Sequence, residues 1–243
     1  VIADQDNCGG IIGYIEAAAT GIGGTAYVRV SDCHNFGTVD GRYYVGGIIG
    51  NAEGDPYGSQ YSEIDACTNQ SKIKGDAYVG CIAGRTYSFL IRNSSNENSS
   101  LEVTSRMVDD GDKIACVGGL VGYGVCIENC TNYIDVNYTS DGAYVGGLMG
   151  YCNMEGSVYI RDLTNYGNVS GREYVGGIAG VVKDYVSNGI NAYTCTLERL
   201  LNHGDVSGQG SYIGGHIGLC TGEADGSGGS MSFYVYDCVN EGD

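Results

Sequence analysis

Apolar and polar positions alternate along this chain in short bursts. Tyr44-Val45, Lys72-Ile73-Lys74 and Asn168-Val169-Ser170 are examples, and each is closed within a few residues by Gly, Asn, Asp or Ser. Alternation over so few residues, bounded by turn formers, predicts half-buried strands separated by tight turns. No window sustains apolar spacing of three and four residues, so the pattern predicts no long helix.

The bursts recur. A Gly-Gly-apolar-apolar-Gly block stands at Gly9–Gly13, Gly46–Gly50, Gly80–Gly84 (as GCIAG), Gly118–Gly122, Gly146–Gly150, Gly176–Gly180 and Gly214–Gly218. Its starts are 37, 34, 38, 28, 30 and 38 residues apart, so seven copies account for the chain. Five blocks follow Tyr and a β-branched residue, at Tyr44, Tyr78, Tyr144, Tyr174 and Tyr212. A second element ends in Asn35, Asn69, Asn96, Asn132, Asn165, Asn202 or Asn240, and a third reads like Gly37–Gly41 (GTVDG) or Gly204–Gly208 (GDVSG). A unit this small cannot bury an apolar face alone, whereas stacked copies cover one another.

The predicted fold is therefore all-β. It is a parallel β-solenoid (a β-helix) of about seven coils, with three short strands per coil, forming a single domain over 1–243. Length differences between copies fall mostly at one loop position, so loops are expected to bulge mainly from one face. With strands ~4.8 Å apart, seven coils make a rod about 34 Å long.

Equivalent positions stack in such a fold, and the columns carry the structural expectations. The seven asparagines are expected to form an amide ladder along the axis, or to serve locally by tolerating left-handed backbone at a turn. Ile11, Ile48, Ile82, Leu120, Leu148, Ile178 and His216 form the expected core column, with His216 as an adjustment in the end coil. The five tyrosines should point away from the buried valines and form an exposed ladder. That ladder either stabilises the sheet by ring stacking or binds a partner.

Eleven cysteines admit two readings: disulfides in an oxidising, extracellular compartment, or small buried thiols. Under the first, Cys33 pairs with Cys67 in the same column of adjacent coils, Cys126 with Cys152, and Cys195 with Cys220; an odd count leaves one thiol over.

The two ends are in phase. Asn240–Asp243 aligns with Asn202–Asp205, and Val1–Gly9 with Val206–Gly214. The chain thus reads as a whole number of coils, uncapped at both ends and without a signal peptide: a mature product or a cut piece. Open solenoid ends expose unpaired strand edges, so the expected neighbour at each end is another coil of the same kind. Head-to-tail contact between copies does not close and generates a filament; flanking repeats of one longer array are the alternative.

The blocks Val117–Gly122 (VGGLVG), Asn129–Asn132 (NCTN) and Val145–Gly150 (VGGLMG), together with Asp162–Gly171 (DLTNYGNVSG), resemble the GLUG-motif repeat of bacterial surface and secreted proteins. The likeness covers all seven copies, with a departure at Arg92–Val103. Proteins with this repeat include adhesin-like molecules, so the resemblance implies a cell-surface or secreted, bacterial setting. It carries no catalytic residues onto this chain.

Composition narrows the function classes. A formal charge of −17 argues against nucleic acid as a partner, because phosphate recognition needs clustered Lys and Arg. No stretch of about 18 apolar residues is present to span a bilayer as a helix. Three histidines and no nucleophile-elbow, P-loop or zinc-protease motif give no catalytic residues, and the expectation is a non-enzyme without an organic cofactor. Asp109, Asp110 and Asp112 form the densest acidic cluster, either a weak calcium site or a solvated loop. Two functions remain: a structural extracellular solenoid that polymerises with itself, or an adhesive repeat region binding glycans or a host protein through its tyrosine face.

Overall fold

A computed structural model describes residues 1–3, 5–19, 24–55, 61–103, 114–138, 140–154, 157–186, 192–224 and 230–243. Among these, every regular element is a β-strand, and the strands pair in parallel with equivalent strands of the windings before and after. The fold is a parallel β-solenoid. Its first sheet stacks Cys8–Gly9, Tyr43–Gly46, Ala77–Gly80, Ala115–Gly118, Ala143–Gly146, Val175–Gly176 and Ile213–Gly214. The second stacks Ile12–Glu16, Ile49–Glu53, Ala83–Tyr87, Val121–Gly124, Met149–Met154, Ala179–Val186 and Ile217–Ala224. Seven strands in each mark the seven repeats, with six turns of the solenoid between the first and the last.

The third sheet runs from Arg29–Ser31 through Cys126–Asn132 to Ser230–Tyr236. The fourth face is made of two three-stranded sheets, Val39–Asp40 with Lys72–Gly75 and Ser100–Val103, then Val136–Tyr138 with Val169–Gly171 and Val206–Ser207. Each winding therefore carries one strand more than the pattern predicts. The glycine block straddles a bend: the first sheet passes to the second through two residues in every winding, Gly47-Ile48 being typical.

Register follows the columns. Val45 pairs with Cys8 and Val79, and Ile127 with Ile91 and Ile160. The third repeat falls into line as well, because Ser95 bridges Thr68 on one side and Thr131 on the other. Loop length varies chiefly between the second and third sheets, from the single residues Ser88 and Val125 to the span 17–28; the span 104–114, between the fourth face and the first, is an exception.

The predicted core column is core. Ile48, Ile82, Leu120, Leu148 and Ile178 are fully buried, each contributing roughly 1.5–3 kcal/mol by leaving water. Ile11, at the same position in the first winding described, is 49 % exposed. The core has two lobes. One, built around Ile48, Ile64, Phe89 and Leu120, lies between the second and third sheets. The other, built around Val39, Val45, Ile73 and Val79 and continued by Val136 and Val175, lies between the first sheet and the fourth face.

Candidate functional site

The waist between the lobes is where the repeat is most constrained. Here the glycine bend of each winding meets the asparagine turn of the same winding. A Cβ on the second glycine would lie 2.7 Å from Asn35 Cγ at Gly10, and 2.6 Å from the corresponding Cγ at Gly47 (Asn69), Gly119 (Asn132) and Gly147 (Asn165). Those separations are too short for real atoms, so glycine and asparagine are two halves of one joint. Asn69, Asn132, Asn165 and Asn202 are fully buried, and a buried amide must be bonded. Asn165 Nδ2 donates to its own turn at Gly167 O (2.7 Å) and to Asn202 Oδ1 in the next winding (2.7 Å). The same pair of bonds recurs at Asn35, Asn132 and Asn202. The predicted ladder is present, and turn and ladder roles coexist in one side chain. The left-handed residue lies three positions earlier, at Asp32, Ala66, Asn93, Asn129, Asp162, Arg199 and Asp237.

The ladder has one break. In the third winding Cys81 stands where the other copies have the second glycine, and its thiol is fully buried among Asn69, Asn96 and Ser99. Asn96 bonds forward to Asn132 Oδ1 (2.6 Å), but its second donation goes to Gly119 O (2.7 Å) instead of its own turn. Asn69 finds Ser99 Oγ (2.8 Å) where the next amide would be.

The tyrosine face differs from the expected exposed ladder. Tyr44, Tyr78, Tyr144 and Tyr174 are half-buried, and Tyr212 alone is exposed (50 %). The reason is a second column, across the bend on the second sheet, that holds Tyr14, Asn51, Arg85, Tyr123 and Tyr151. Rings stack from Tyr44 to Tyr78 (5.0 Å), pass edge-on to Tyr123 (6.2 Å), continue to Tyr151 (5.2 Å) and Tyr144 (5.2 Å), and go on through Tyr174 (5.1 Å) to Tyr212 (4.8 Å). The path leaves the first sheet where Cys116 replaces a tyrosine. Burial pushes the Tyr123 hydroxyl up to about 12 and raises those of Tyr78, Tyr144 and Tyr151. Tyr44, Tyr78, Tyr174 and Tyr212 have positive φ, from 52° to 64°, whereas Cys116 and Tyr144 do not, so the backbone changes where the ring path does.

Two features escape sequence reasoning. Tyr123 and Tyr151 follow their glycine blocks and so lie outside the Tyr-Val pattern. A second aromatic stack, Tyr133–Tyr166 (5.4 Å) and Tyr166–His203 (4.7 Å), occupies the position after Asn132, Asn165 and Asn202, and that shared offset was its available signal. His203 Nδ1 pairs with Glu241 Oε2 at 2.6 Å. His216 Nε2 lies 3.1 Å from Leu200 O and 3.0 Å from Val239 O, tying two windings together.

The disulfide pairs need correction. All eleven cysteines are thiols. Cys33 and Cys67 do share a column, as the pairing of Asn35 with Asn69 shows. In-register parallel strands keep their Cβ atoms about as far apart as their Cα atoms, ~4.8 Å, against the ~3.8 Å a disulfide prefers. Cys67 Sγ donates to Asp65 O (3.3 Å) and meets the Cys33 side chain as a thiol, and Cys152 Sγ donates to Val125 O (3.1 Å). Cys126 and Cys195 are buried and Cys220 is exposed, none of them bridged. Burial pushes Cys81, Cys126 and Cys130 up to about 12. The acidic cluster Asp109, Asp110 and Asp112 lies outside the described residues.

No protein-family model matches the chain, and no curated protein or solved structure does so either.

The two open edges are complementary. Asn35 Oδ1 accepts Gly37 N–H (3.1 Å) but lacks the incoming amide that Asn69, Asn132, Asn165, Asn202 and Asn240 each receive. Asn240, the last rung described, donates to its own turn at Gly242 O (2.8 Å), and its second N–H points along the ladder axis away from Asn202. One edge thus offers an acceptor and the other a donor. Both expose core-column aliphatics: Ile11 is 49 % exposed at the first, and Val235 61 % at the second. They are also in phase. Val1 lies beside Val39, since Asp40 N bonds Val1 O and Ala3 N bonds Asp40 O, both at 2.9 Å. Asp243 lies beside Asp205, one position before the equivalent column at Val206, whose N–H bonds Asp243 O at 3.0 Å.

Proposed function

We propose that this protein is a structural solenoid whose units stack head to tail, second copy on first, into a filament. The observation that carries the reading is the complementarity of the two edges. An asparagine acceptor faces an asparagine donor, with the strand edges in matching columns, so a copy moved along the axis would continue every sheet. The contact is heterologous and does not close, which is the geometry of a fibre. The formal charge of −17 would keep neighbouring filaments apart. The bacterial surface setting rests on the likeness to GLUG-motif repeats alone, since thiols no longer argue for an oxidising compartment.

Negative-stain imaging and sedimentation velocity of the purified chain test this. Filaments of one uniform width are expected, and the double variant Ile11→Asp, Val239→Asp, which sets like charges across the contact, should shift them to short particles while leaving the β-sheet circular dichroism unchanged. A wild-type chain that stays monomeric at every concentration would overturn the proposal.

A further inference from the structure

Where Cys116 interrupts the tyrosine column, the first sheet places Tyr78 on one side of it and Tyr144 on the other. The missing ring leaves a pocket of about 240 Å³ whose described lining is Tyr78, Tyr123, Tyr144 and Tyr151 with Ile114, Cys116 and Asn153. We infer that this pocket is a binding site for a small neutral ligand carrying a single phenolic ring, which takes the place of the absent rung. The inference does not depend on filament formation.

Three observations support that ligand class. The size is right for one ring. Apolar cavities of about 150 Å³ hold benzene, and drug-sized ligands need about 300 Å³ or more. The shape is right as well. Two windings separate Tyr78 from Tyr144, ~9.6 Å at strand spacing, and a flat ring midway would stand ~4.8 Å from each, within the range of aromatic pairs. The chemistry suits a neutral aromatic ring, since four of the described lining residues are tyrosines and none of those described is ionic. Asn153 is the one side-chain amide among the described lining residues, and its contact with the Tyr123 hydroxyl already engages it in part. Asn153 and the tyrosine hydroxyls of the lining can meet the single hydroxyl of a phenol, while the four rings offer its ring stacking partners. The Cys116 thiol is 3 % exposed and burial raises its pKa, so the binding is non-covalent.

Saturation-transfer NMR with p-cresol tests the site, with toluene and methyl glucoside as comparison probes. Saturable one-to-one binding of p-cresol is expected, with a dissociation constant of the order of 1 mM for so small a ligand. Toluene should bind several-fold more weakly, and methyl glucoside not at all. Cys116→Tyr, which restores the rung, should abolish binding. If that variant does not fold, Asn153→Ala serves in its place and should bring p-cresol down to the affinity of toluene. Tyr212→Ala, at the far end of the ladder, should bind as the wild type does. Absence of saturation, preference for the glucoside, or undiminished binding to folded Cys116→Tyr would each overturn the inference.

Discussion

The third and fifth windings solve the same problem in different ways. In the fifth, Gly147 leaves room for Asn165, whose amide takes a bond from Asn132 and gives one to its own turn and one to the next winding. In the third, Cys81 fills that room with a thiol. Asn96 gives up its own turn for Gly119 O, and Ser99 caps the amide that Asn69 can no longer pass on. The lesson is that glycine and asparagine, far apart in the repeat, form one device. A copy that alters one half must re-route the other, and must supply a hydroxyl to keep a buried amide bonded.

The comparison breaks most sharply at the glycine. Gly147→Ala places a methyl 2.6 Å from Asn165 Cγ, with carbonyl backbone closer still, and should cost about 3 kcal/mol or more, or prevent folding. Cys81→Ala keeps a Cβ that the third winding already accommodates and should cost only about 1 kcal/mol. Urea denaturation of the two variants checks the contrast; equal losses would mean that the third winding is not built differently.

A double-mutant cycle sharpens it further. Asn132 and Asn165, bonded at 2.6 Å, should show a coupling of about 1 kcal/mol on alanine substitution. Asn69 and Asn96, adjacent in the same column but not bonded to each other, should show a coupling near zero.

The smallest effect is in the pH dependence. Burial raises Cys81 from 9.0 to about 12, so above pH 9 the unfolded chain releases a proton that the folded chain retains. The stability contributed is therefore complete below pH 9 and is lost as pH rises toward 12, by up to about 1.4 kcal/mol per pH unit for each such thiol. Denaturation midpoints should be insensitive to this group between pH 7 and 8 and fall above 9, with Cys81→Ala showing a shallower fall.

Much of this was legible in the residues because a solenoid turns alignment into contact. The asparagine column, the aliphatic column and the phase of the two ends could all be read from repeat spacing, since equivalent positions stack at one strand separation. What could not be read depends on contacts across a winding. The GCIAG departure and the irregular third repeat are both visible at Cys81 and Arg92–Val103, but their connection needs the knowledge that bend touches turn. The tyrosines were expected to be exposed because alternation fixes only the side of the strand. It does not reveal that Tyr123 and Tyr151, beyond the bend, cover the same side. The disulfides failed on direction: a suitable Cα separation says nothing about parallel Cβ vectors.

The junction between the second and third sheets joins its strands through a single residue in two windings and through the span 17–28 in the first, while the columns on either side keep their register. That junction is a natural splice point. A foreign peptide grafted there would be displayed once per unit, and on a filament it would recur about every 34 Å along one side, a ready-made ruler for presenting epitopes or enzymes at fixed intervals.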